Sequence, residues 1–341
     1  MNVKNIVFLF HTRRNRHDKR LKFITNLAPL TFNLSKEPYN LWYQKIFGKE
    51  YRDIDFSSNI FEYLSQTIFS SALMRSFMQA KIISKYKHDS YNIIVSSSWT
   101  VKNSIVIIDR MAINNEKLLS TLKKNQNIIL IDVIDGVFDL NLLHYVDGII
   151  CCSHKAYNYY NTLSNRCMIF FIEHCADIRL PDKIEPLFSF SPYYFGAHEN
   201  LLMYNSLRDL LTIVYTDHNS KITLNWMDKI PLANFHYALR PPMEKLVFKP
   251  FTKGFTAAWA NSNILVHKDD GDAALYLGND YPYLIHEDIT ESVVLEYLAK
   301  ATDDFGSKDW NYALSIMKEI KEKISHENIA KQFWAMIKDI S

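Results

Sequence analysis

Glycine is scarce in this chain, with only eight residues in 341. The opening strand, Asn5 to Phe10, runs into HTRRNRHDKR without a single glycine. That excludes the Gly-rich turn by which NAD and FAD enzymes seat a pyrophosphate. Cysteine is also sparse. Cys151, Cys152, Cys167 and Cys175 form no C-x-x-C pair and have no histidines at zinc-finger spacing. Their apolar neighbours mark them as buried thiols, which fits a reducing compartment. No apolar run approaches the ~18 to 20 residues that cross a bilayer. Met1 to Phe10 has too short a hydrophobic stretch, and no small-residue cleavage site, for a secretory signal. Net charge is lacking too: 39 basic against 37 acidic side chains leave +2, which argues against a dedicated polyanion binder, and nucleic acid is not an expected partner.

What the chain has is packing material. Apolar residues make up 48% and aromatics 14%, enough to fill the cores of about two domains. Short apolar strands alternate with longer amphipathic stretches, the pattern of an α/β protein with parallel sheets. The first series is Asn5 to Phe10, Tyr91 to Val95, Ile105 to Ile108, Asn127 to Ile131, Gly148 to Cys152 and Met168 to Ile172. Helical spacing covers Ile60 to Lys87 and a short piece from Lys155 to Leu163. The Pro-flanked LPDKIEP, Leu180 to Pro186, reads as the domain linker. A second series follows: Phe188 to Phe195, Leu211 to Tyr215, Phe235 to Leu239, Ile264 to Val266 and Tyr283 to Ile285. Asp288 with Glu291 predicts a capping box for a helix through Leu298. Helices over Lys308 to Ile324 and Glu327 to Ile340 close the chain. The expected organisation is one domain over residues 1–180, a second over 187–325 and a last helix over 326–341. Open parallel sheets bind ligands at their strands' carboxyl ends, so a cleft between the domains is the expected site.

The most informative stretch is Phe248 to Ala260, FKPFTKGFTAAWA. Lys249 and Lys253 flank a Thr-Lys-Gly turn that opens a short helix. A cation in a first helical turn opposes the partial positive charge already there. An anion held between the lysines and the free N–H groups reverses the sign of that effect. The segment therefore predicts a phosphate or diphosphate cradle that includes Thr252.

Other polar residues end strands of the same half. Phe195-Gly196 closes one strand, ahead of a helix expected near Glu199, and glycine there permits close backbone approach to a ligand. Asp217, His218 and Asn219 follow the next strand, where a nucleotide base would sit. Arg240 ends a third and offers a fork suited to phosphate oxygens. In the first half, Asp132 and Asp135 of IDVIDG follow a strand and suit hydroxyl binding or general-base work, although Asp is also a turn former. His154 follows the fifth strand, whereas His144 lies in an apolar stretch and reads as structural. Arg13, Arg14, Arg16, Lys19 and Arg20 form a basic loop suited to an anionic acceptor or an acidic membrane surface. KDDGD, with Asp269, Asp270 and Asp272, lacks the EF-hand spacing and reads as a turn. No metal site is expected.

With these motifs in view, the second half resembles the donor-binding half of a GT-B glycosyltransferase. The residues that carry the likeness are YYFGAHENLL, TIVYTDHN, FHYALRP and KPFTKGFTAAWANSNILV. VDGIICCSHKAYNYY is similar to the closing strand and helix of the acceptor domain. ALYLGNDYPYLI resembles a loop of transferases from capsule and lipopolysaccharide clusters. The last helix, with Phe333 and Trp334, is similar to the one that crosses back onto the first domain. The resemblance implies two facing Rossmann-type domains and a metal-independent, cofactor-free transfer. The sugar would move from a nucleotide donor to a bacterial surface glycan or lipid-linked acceptor. It implies donor contacts from Gly196, Asp217, His218, Arg240, Lys249, Thr252 and Lys253, with Asp135 and then His154 as candidate bases. The two glutamates seven residues apart found in many retaining members are absent here, so a donor linked through one phosphate stays open beside a diphosphate. A nucleotide-sugar 2-epimerase, or a non-catalytic polysaccharide-assembly subunit, are the alternatives. A cytoplasmic location is expected, with peripheral contact at the inner membrane through the basic loop and the aromatic-rich residues 41–84.

Overall fold

The computed structural model describes residues 4–10, 31–33, 73–86, 90–96, 98–163, 165–216, 226–241 and 248–340. They group into two compact units, Met1–Glu173 with Ile329–Ser341, and His174–Asn328. The expected basic loop and residues 41–72 lie outside the described residues, as do Asp217, His218 and Asn219.

The first unit is built on a seven-stranded sheet. Its strands are β1 (Lys4–Leu9), β2 (Thr31–Asn33), β3 (Tyr91–Ser96), β4 (Ser104–Ile108), β5 (Ile128–Asp132), β6 (Gly148–Cys151) and β7 (Met168–Phe171). They lie in the order β2-β3-β1-β4-β5-β6-β7. Only β2 runs antiparallel, at an edge. The apolar run SIVII makes β4 buried along its whole length, as a strand covered on both faces must be. The helices are α1 (Gln79–Lys85), entered through a π-helical turn at Leu73–Met78, α2 (Glu116–Lys124) and α3 (His154–Asn161). Asn115 caps α2 by accepting from Leu118 N–H, and Leu118, Leu119 and Leu122 form its inward face. Ser153 caps α3 in the same way through Ala156 N–H.

The second unit carries β8 (Pro192–Gly196), β9 (Thr212–Tyr215), β10 (Phe235–Tyr237), β11 (Asn263–His267) and β12 (Leu284–Ile285) in the order β12-β11-β10-β8-β9. All pairings in it are parallel. Its helices are α4 (Trp226–Lys229), α5 (Thr252–Trp259), α6 (Ala273–Leu277), α7 (Glu291–Asp303) and α8 (Lys308–Lys323). Ala176 and Leu180 already pack in the core of this unit. The chain adds β9 to one side of β8 and then crosses to place β10 on the other. The winding therefore reverses at β8, and the loops after β8 and β10 part there. Open α/β sheets bind ligands outside the carboxyl ends of strands at such a switch point.

The last helix, α9 (His326–Ile340), joins the first unit from Ile329 onward. Phe333 stacks on Phe8 of β1 with centroids 5.7 Å apart, and Trp334 Nε1 donates to the Tyr86 carbonyl at 2.9 Å. Among the described residues no helix is long and apolar enough to cross a membrane.

Two local expectations change. The segment after β8 forms two short 3-10 turns, His198–Asn200 and Asn205–Leu207, in place of a helix. Leu202 N–H bonds the Leu239 carbonyl and Tyr237 Oη donates to the Leu202 carbonyl, which holds the chain extended beside β10. The cap of α7 is Thr290, whose hydroxyl accepts from Val293 N–H, so Asp288 is not the capping residue.

Candidate functional site

Several polar groups of this unit meet toward the carboxyl edge of the second sheet, whereas Asn234, Ser262 and Asn263 lie buried at its amino edge. Tyr194, on β8, lies fully buried and donates its hydroxyl to the Ala197 carbonyl at 2.6 Å. That hydroxyl stands 2.5 Å from where a side chain on Gly196 would begin. Glycine at 196 is therefore required by the fold of Tyr194 itself. Lys253, the second residue of α5, extends its ammonium over the Tyr194 ring, 4.3 Å from the centroid. The stem of Lys253 reaches the surface, but Nζ is shielded from water and has no hydrogen-bond partner among the described residues.

Electrostatics makes that nitrogen unusual. Burial pushes the Lys253 ammonium down from its ordinary value to about 7, helped by the charges of Arg240 and Lys249 and opposed by Asp270. The opposing carboxylate is already engaged, since Arg240 Nε donates to Asp270 Oδ2 at 3.0 Å. His236, buried on β10, is pushed down to about 3 by burial and then by Lys253, so it stays neutral at physiological pH. Its Nε2 also lacks a partner among the described residues.

Backbone donors open onto the same region. Phe251 precedes α5 without any side-chain cap. Thr252 N–H bonds the Pro250 carbonyl at 2.8 Å, whereas the N–H groups of Lys253 and Gly254 have no acceptor among the described residues. The first turn of α5 contains no acidic residue. Two open N–H groups, a helix dipole and clustered cations together attract an anion.

The start of α5 is held rigidly. The Phe251 ring stacks on Tyr276 at 5.9 Å and meets Phe255 edge-on at 5.8 Å. It also lies against Gly254, where an added methyl would overlap it. Gly254→Ala should therefore destabilise the protein by about 1–3 kcal/mol through overpacking. The gain of up to ~1 kcal/mol in helix propensity does not offset this. Urea unfolding reads the difference, and an unchanged or higher midpoint would mean that Phe251 swings out freely.

Gly196, Arg240, Lys249, Thr252 and Lys253 thus sit on one unit, with Arg240 and Lys249 near enough to bias the Lys253 proton. Tyr194 and His236 join them without having been marked by sequence. An aromatic or histidine inside an apolar strand reads as core, and both are buried as core residues are.

The first-unit candidates separate. Asp132 points inward to a buried ion pair with Arg75 at 2.8 Å. Asp135 lies on the turn after β5 and pairs with Arg110. Ile134 between them has φ 54°, a left-handed conformation costly for a β-branched residue. His154 begins α3 after β6, its ring stacked on Phe171 at 4.3 Å. His144 bonds the Asn141 carbonyl through Nδ1 within its own turn. Among the described residues no three His, Cys, Asp or Glu side chains are grouped to hold a metal ion. Asp269, Asp270 and Asp272 occupy the turn between β11 and α6.

No family model matches this chain, and no curated protein matches it in sequence. Among solved structures, trehalose-6-phosphate synthase OtsA is similar over 99% of each chain, with TM-score 0.51 and 9% identity. The fold is GT-B-like. The pneumococcal O-GlcNAc transferase GtfA, in complex with UDP and GlcNAc, is similar over 80% of this chain and 60% of its own, with TM-score 0.45 and 9% identity. Anabaena HepE in complex with UDP-glucose is similar over 69% of this chain and 78% of its own, with TM-score 0.46 and 10% identity. The chain spans only about three fifths of the GtfA structures it matches, 62% and 60%. Within the GT-B-like architecture, the anion-attracting corner belongs to the second Rossmann-type unit, at its switch point.

Proposed function

We propose that this protein is a glycosyltransferase that takes its sugar from a nucleotide-activated donor. One observation carries the reading: at a switch point of a GT-B-like fold, the Lys253 ammonium stands buried, without an acceptor among the described residues, beside an uncapped helix start. A buried cation without a counter-charge costs free energy, and a bound phosphate removes that cost.

In this reading the bond between the sugar's anomeric carbon and the phosphate oxygen breaks, and its electron pair leaves with the phosphate. Lys253, Lys249, Arg240 and the N–H groups at the start of α5 stabilise the charge that develops, the role a metal fills in other transferases. Thr252 and the backbone at Gly196 would border the cradle, and Asp217 and His218, outside the described residues, are the candidates to contact the nucleotide or sugar. The acceptor hydroxyl attacks the anomeric carbon and gives up its proton. If configuration inverts, Asp135, oriented by Arg110, takes that proton, with His154 as second candidate. The acceptor would be a bacterial surface glycan or a lipid-linked oligosaccharide, approached at the inner membrane through the basic loop.

Thermal denaturation with a panel of uridine, guanosine and cytidine phosphates tests the site directly. A nucleotide at a hundredfold its dissociation constant should add about 2.7 kcal/mol of stability. If none shifts the transition, the donor site is wrong. Incubation with sugar nucleotide alone separates transfer from epimerisation, since only an epimerase alters the sugar without an acceptor.

A further inference from the structure

We infer that the anion site at the start of α5 takes a doubly charged phosphate group, and that Lys253 acquires a proton as that group binds. The inference rests on the phosphate reading above and deepens it.

Geometry makes the case first. Every described group that faces Lys253 Nζ fails to act as its acceptor. From β8, Tyr194 offers only its ring face, because its hydroxyl donates to the Ala197 carbonyl. From β10, His236 is buried and neutral. Arg240, which follows β10, and Lys249, which precedes α5, are cations. Asp270, on the turn after β11, accepts from Arg240 Nε at 3.0 Å. A nitrogen so placed holds its proton poorly, in keeping with a value near neutrality, about 7. A dianion arriving at the neighbouring helix start changes the balance. Its second negative charge is the counter-charge that the described residues do not give Lys253. A singly charged diester supplies half as much and draws the proton less.

The same logic ties Lys253 to the direction of transfer. When a sugar leaves a nucleotide, the phosphate that carried it gains one negative charge. Lys253 would then be protonated more fully with the released nucleotide than with the donor. Its interaction with the departing group would strengthen as the bond breaks, relative to the intact donor, which is the direction differential binding requires.

Isothermal titration at pH 8 with cytidine and uridine monophosphates, in buffers of low and high ionisation enthalpy, reads the proton. At that pH the phosphates are fully ionised, their second pKa being about 6. Lys253, at about 7, is then mostly neutral. Nucleotide binding should take up a large part of one proton, and dimethyl phosphate should produce much less. Lys253→Arg, which keeps the charge at any accessible pH, should bind the same nucleotides with no buffer dependence. Lys253→Met should lose binding by a hundredfold or more, its melting curve reporting that it is folded. Binding by the wild type with the same heat in both buffers would overturn the inference and leave the phosphate site standing. Absence of binding by any nucleotide would overturn both.

Discussion

Lys253→Met should raise the melting temperature of the unliganded protein and abolish its response to nucleotides. The two effects share a cause. Burial holds the ammonium at about 7, far below its ordinary value. Between those two values the unfolded chain binds more protons than the folded one, so stability rises with pH through that window. Below pH 7 the whole cost is present, on the order of 2–4 kcal/mol after allowance for local relaxation. Methionine removes the charge and keeps a polarisable contact with the Tyr194 ring. The unliganded variant should melt about 5 °C higher near neutrality. Its stability should lack the rise above pH 7 that Lys253 gives the wild type. Calorimetric melts across that range, with and without nucleotide, check both statements. A variant that melts lower and still responds to nucleotides would remove Lys253 from the site.

Arg75→Met should be among the most damaging single substitutions in the first unit, costing about 3–5 kcal/mol at neutral pH. Arg75 Nε donates to Asp132 Oδ2 at 2.8 Å and Nη1 to the Glu173 carbonyl at 2.9 Å, with both side chains about 2% exposed. Burial already lifts the Asp132 carboxyl above its ordinary range, and the charge and hydrogen bond of Arg75 hold it back. Without Arg75 the carboxyl rises further, and the folded chain binds a proton that the unfolded chain does not. The loss should therefore shrink as the pH falls. Asp132→Asn in the Arg75→Met background should recover part of it. Urea unfolding at pH 7.5 and 5.5 measures the difference, and an equal loss at both would exclude the lone carboxylate as its cause.

The strands were legible because buried parallel strands are written as short apolar runs. Ile105 to Ile108, for example, falls inside the observed β4. The helix start at Lys253 was legible because Thr-Lys-Gly before an alanine-rich turn leaves little else for the backbone to do. What escaped is long-range. Arg75 and Asp132 are 57 residues apart, and nothing near either one names the other. The expected helix near Glu199 failed because Leu202 is claimed by Leu239 and Tyr237, contacts no local pattern contains. Asp288 has the spacing of a capping box, but starting the helix after Thr290 is what turns Val294, Leu298 and Ala301 inward. Tyr194 and His236 shape the site from within strands, where their chemistry looks like packing.

The final helix has a consequence for biosynthesis. Phe333, the ring that stacks on Phe8, is synthesised long after it. Domains generally fold as they are made, amino-terminal first. Here the first unit lacks its returning helix while the second is translated, and a chain cut short before Phe333 would leave Phe8 of β1 without that ring.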